Sequence, residues 1–111
     1  MATYKGIKGF TVQSLATDPV PSSAAWSSGG NMNTARSQLA GAGTQTAGIV
    51  FAGDTGGASD SVDTELYNGS SWTEVNNLNT GRVALAGSGT QTATLAIGGA
   101  PNRTNNESFN G

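Results

Sequence analysis

The segment from Leu78 to Gly99, LNTGRVALAGSGTQTATLAIGG, restates the segment from Met32 to Gly53, MNTARSQLAGAGTQTAGIVFAG, with 12 of 22 positions identical. The offset is a constant 46 residues from the pair Trp26/Trp72 through Arg36/Arg82 to Gly53/Gly99. Beyond the glycines it falls to 42, which pairs Glu65 with Glu107 and Tyr67 with Phe109. The loop after the glycines is therefore four residues shorter in the second copy. An internal repeat of this period means that one supersecondary unit is built twice, and that each unit needs a neighbour to bury its faces.

What a unit contains follows from its side chains. Gly, Ala, Ser and Thr make up more than half of the chain, and glycine interrupts every window long enough to test for a helical stripe. Short Thr, Val, Ile and Leu runs between Gly, Asn and Ser clusters predict strands instead. The spacing predicts them near residues 39–44, 47–52, 63–68, 72–76, 85–90, 93–98 and 105–110, with one more around Trp26. Within each AGxGTQTA run the Thr-Gln pair is the expected hairpin turn, and Asn68-Gly69 is a second turn before a strand that opens at Trp72. The expectation is an all-β chain with four antiparallel strands per repeat: two blades, at about 26–71 and 72–111, following a separate segment at 1–22. The second copy stops one strand short, and the repeat region opens with an unpaired fourth strand at Trp26.

Composition bounds the chemistry. With no cysteine and no histidine, the chain lacks the usual ligands for zinc and copper and the usual nucleophile–base pairings. The only basic residues are Lys5, Lys8, Arg36, Arg82 and Arg103, and the net charge is -2, so there is no basic stripe for a phosphate backbone. No segment has the roughly 20 apolar residues needed to span a bilayer, and no signal peptide is legible at the N-terminus. The acidic loop DTGGASDSVDTE does not fit the spacing of an EF-hand, and Gly53 to Gly57 is not followed by the GK[ST] of a phosphate loop. No metal, cofactor, nucleic acid or membrane partner is expected.

Four strands in a unit of 42 to 46 residues is the spacing of a β-propeller blade. The order LNTGR, small-residue strand, LAIGG, variable loop, ESFNG and then SW resembles the kelch repeat. In that family an Arg follows the fourth strand, a glycine pair closes the second, an aromatic lies in the third and a Trp opens the fourth. Arg36 and Arg82, Gly98-Gly99, Tyr67 and Phe109, and Trp26 and Trp72 occupy those places. The first copy departs from the pattern with Ala52-Gly53, and neither copy has the proline that often precedes the Arg. The opening residues MATYKGIKGF, followed by these repeats, also resemble kelch-like virion proteins predicted in marine bacteriophages.

The resemblance implies a tail-fibre or appendage protein located in the virion, without enzymatic activity. In this reading residues 1–20 bind other virion proteins and the blade loops touch host-surface glycans. Kelch-like propellers close with six or seven blades, so two blades per chain imply a head-to-tail homotrimer. The family pattern carries Gln38 and Asp54 to the ligand side, although the second copy has Ala84 and Ala100 there. The non-equivalent loops add Asp60, Asn102, Arg103 and Asn105 as polar contacts for a sugar. Trp26 and Trp72, repeating at the blade period, are expected in the blade core, and Arg36 and Arg82 are expected to contact a carbonyl or an acid at a blade end. Two alternatives stay open: a cement or collar protein that binds only other virion proteins, and a polysaccharide-acting enzyme with Asp54, Asp60 or Asp63 as acid and base.

Overall fold

A computed structural model describes residues 25–111. The expected segment at 1–22 lies outside the described residues. Seven strands follow in order: β1 Ala40–Thr44, β2 Ala47–Phe51, β3 Thr64–Tyr67, β4 Trp72–Val75, β5 Ala86–Thr90, β6 Ala93–Ile97 and β7 Asn106–Phe109. They form two antiparallel sheets, β1-β2-β3-β4 and β5-β6-β7, and no helix occurs among the described residues. The chain is all-β, as its glycine-broken runs of small and β-branched residues dictate.

Both sheets obey one register. Ala40 pairs with Phe51 and Ala42 with Ile49 in the first, as Ala86 pairs with Ile97 and Ser88 with Leu95 in the second. The hairpin turn sits one residue later than the sequence suggests. Thr44 pairs with Ala47, so the loop is Gln45-Thr46, and Thr90 with Ala93 leaves Gln91-Thr92 as its counterpart. Each Thr belongs to its strand and each Gln is released from the ladder. The Asn68 turn forms where expected: Asn68 Oδ1 accepts the N–H groups of Ser70 and Ser71 at 2.9 Å each, which closes β3 onto β4.

The sheets pack side by side, with β1 along β5. The core is small: Ala40, Ile49, Phe51, Ala52 and Ala96, with Leu66, Leu78, Leu85 and Phe109 packed around them. Glycine makes the contact possible. A Cβ on Gly87 would stand 2.8 Å from Phe51 Cζ and 2.9 Å from the Gly41 carbonyl oxygen, so only a residue without a side chain lets the two sheets meet there. Two backbone hydrogen bonds join the sheets directly, Gly53 N to the Arg82 carbonyl and Ala84 N to the Gln38 carbonyl, both at 2.9 Å.

One expectation is overturned within the chain. Residues 25–30 form no strand, and Trp26 is fully exposed instead of lying in a blade core. A strand exists only through a hydrogen-bonded partner, and among the described residues none of the sheets includes residues 25–30. Its repeat-equivalent Trp72 has that partner: Trp72 pairs with Tyr67, the two rings lie 4.7 Å apart between centroids, and the indole N–H donates to the Gly30 carbonyl at 2.9 Å.

Candidate functional site

The antiparallel order puts the entry to β1, the exit of β2 and the entry to β3 at one end of the first sheet, and their equivalents at the same end of the second. Isolated bridges fasten that end, Ser37 to Asp54 in one copy and Val83 to Ala100 in the other. All six ligand-contact candidates fall there: Gln38 and Asp54 at the first bridge, Asp60 in the β2–β3 loop, and Asn102, Arg103 and Asn105 between β6 and β7.

Their backbones are heavily used. Gln38 has φ 56° and its carbonyl accepts the inter-sheet bond from Ala84, whose own φ is 53°. Both copies thus place a left-handed residue at this position, a strained conformation for a residue with a side chain, which marks a requirement of the bridge and not of a ligand. Asp54 Oδ1 accepts the Gly56 N–H at 2.7 Å and turns the loop outward. Asn105 uses its carbonyl to accept Gly98 N at 2.8 Å and Arg82 Nη1 at 3.3 Å. Asn102 has φ 53° and is exposed, as is Asn105. Arg103 is half-buried, and its Nε has no partner among the described residues.

The β2–β3 loop divides in two. Residues 55–59 are exposed, whereas Ser61 is buried and its N–H donates to the Gly53 carbonyl at 2.7 Å. The acids do not converge: among the described residues no group of three or more acids is placed to hold a metal ion. Glu65 is withdrawn from the loop altogether, into an anchor that recurs in both copies.

In that anchor Arg36 Nη2 meets Glu65 Oε2 at 2.7 Å, with both side chains fully enclosed. Arg36 Nη1 also donates to the carbonyls of Asp63 at 2.7 Å and Ala52 at 3.1 Å. Arg82 repeats the arrangement with Glu107 at 2.9 Å and with the Gly98 carbonyl at 2.8 Å. Each carboxylate further accepts two backbone N–H groups, Asn33 and Thr34 for Glu65 and Asn79 and Thr80 for Glu107. Burial by itself pushes both carboxyls up; the N–H donors and the guanidinium outweigh it, and both lie below the usual carboxylate range. The anchor clamps the segment entering a blade to that blade's third strand. These groups are occupied by the scaffold, which leaves the exposed loop residues as the polar groups available to a ligand.

The sequence reading missed a second cross-sheet device. Gln91, released from the β5–β6 ladder, reaches across the sheets and donates to the carbonyls of Gly48 at 3.0 Å and Tyr67 at 2.8 Å. The signal was present: a Gln stands at the same place in both TQT runs, where a turn alone needs no amide. Its equivalent Gln45 is exposed, beside Ala25, Trp26 and Ser27. No helix of the described residues is long and apolar enough to cross a membrane. No protein-family model matches the sequence, and no curated protein matches it.

Proposed function

We propose that the chain is a structural protein of a bacteriophage virion, a tail-fibre or appendage component whose kelch-like blades complete a β-propeller by self-association and present loops to host-surface glycans. The observation that carries this reading is the division of labour within each repeat. The charged groups at equivalent positions, Arg36 with Glu65 and Arg82 with Glu107, are spent on holding the blade. The polar residues that differ between copies, Asp54, Asp60, Asn102, Arg103 and Asn105, collect in loops at one end. A rigid repeated scaffold with variable loops is suited to display, and three copies multiply a weak loop contact by holding it at high effective concentration.

The reading is tested by applying one sample to a glycan array and to a polysaccharide-degradation assay, with Asn102→Ala and Arg103→Ala as variants. Binding without product, weakened by the substitutions, supports display. Reducing ends that disappear in Asp54→Asn, Asp60→Asn or Asp63→Asn would make the protein an enzyme. Binding to no glycan, with the protein located on the particle by imaging, would make it a cement or collar component.

A further inference from the structure

Among the described residues three large apolar side chains are exposed: Trp26 at 102%, Leu95 at 40% and Ile97 at 42% of full accessibility. Leu95 and Ile97 each have a buried counterpart one repeat away, and Trp26 a half-buried one. Leu95 and Ile97 correspond to Ile49 and Phe51, which are 1% and 2% exposed because the second sheet lies over them. Trp26 corresponds to Trp72, which lies on β4 against Tyr67. Among the described residues, the face of the first sheet that carries Ile49 and Phe51 is thus covered, and the equivalent face that carries Leu95 and Ile97 is open. In the same sheet β7 has an open edge, where its counterpart β3 carries β4.

We infer that the occupant of this surface is the first blade of a second copy of the chain, joined head to tail so that residues 26–29 of one copy form the fourth strand on β7 of another. The inference deepens the self-association named above and rests on it. Repeat equivalence fixes the register. Tyr67 pairs with Trp72 and Leu66 with Thr73 in the first blade, so Phe109 pairs with Trp26 of the second copy and Ser108 with Ser27. The same step places Ile97 over Gly41 of that copy, as Phe51 now lies over Gly87. Gln45 of the second copy then donates to the carbonyls of Thr94 and Phe109, as Gln91 does to those of Gly48 and Tyr67. All of these contacts come from one rigid placement, because each is an existing contact moved by one blade. Apolar area leaves water, and the β7 edge is closed.

The absence of cysteine makes the register measurable. Directly opposed residues of an antiparallel pair lie about 4.5–5.5 Å apart between Cα atoms, within disulfide reach. Ser27→Cys and Ser108→Cys chains, refolded together and oxidised, should give a covalent dimer containing one of each. Ser27→Cys with Asn106→Cys, two residues out of register, should give little. Two further variants probe the apolar face. Leu95→Glu and Ile97→Glu alter exposed side chains that face away from the core of the single chain, and should leave the β-sheet circular dichroism unchanged while abolishing association. Multimers that persist in both variants, or that link only out of register, would overturn this join and leave self-association standing. Monomers in the unmodified protein would overturn both. Neither result bears on glycan binding, which the array reads separately.

Discussion

Arg36 and Glu65 are the pair on which the first blade closes, and their full enclosure sets the cost of losing either. Removing one member of a buried ion pair leaves an uncompensated charge and costs about 3–5 kcal/mol. Arg36→Met and Glu65→Gln should each destabilise the chain by that order in chemical denaturation. Glu107→Gln should cost less in a dissociated chain, since the Glu107 side chain is 16% exposed there. The two carboxylates also set a pH dependence. Their folded values lie below the ordinary 4.5, so their contribution is fully present above that value and is lost as the pH falls through the folded values. Stability should therefore hold level from neutral pH to about 5 and decline in more acidic solution. Glu65→Gln should flatten that decline, which a urea series at stepped pH will read. The Arg positions and the recurrent acids were both legible from the repeat. Their pairing was not stated by it, because the four-residue difference in the intervening loop breaks the constant offset between them.

At the scale of the element, the strands were legible because Gly and Asn punctuate them and because each copy repeats the same boundaries. The expected strand ranges left Gln45-Thr46 and Gln91-Thr92 between them, as observed, although the Thr-Gln pair named as the turn starts one residue early. The strand at Trp26 is the instructive failure. Its sequence matches β4 in its Trp, but a strand is a property of a pair, and none of the described strands pairs with it. In the loop between β2 and β3, the backbone bond from Ser61 to Gly53 ties the second half to the sheet. The acid side chains take no part in that tie. Asp60→Ala and Asp63→Ala should each change the melting temperature by less than about 5 °C, on the order of 1 kcal/mol. Gly53→Ala should be far more damaging: Gly53 has φ 105°, and an added Cβ would lie 2.7 Å from the Ser37 carbonyl oxygen, so the inter-sheet bond of its N–H would be displaced. A thermal melt of the three variants side by side separates the loop's side chains from its hinge.

Across the whole molecule, the small core is the governing fact. The described chain builds its core from one buried Phe, one buried Ile and three buried Ala, with Leu66, Leu78, Leu85 and Phe109 packed against them, and leaves an equivalent apolar face open on the far side of the second sheet. That open face is apolar area that the proposed association would remove from water. Heterologous contacts of this kind either close into a ring or extend without limit, and under the proposed six-bladed propeller three chains of two blades would close it. The most direct measurement is native mass spectrometry of the unmodified protein across a dilution series. The account predicts one species at three times the chain mass of 11.0 kDa, persisting on dilution. A stable monomer over the same range would contradict it.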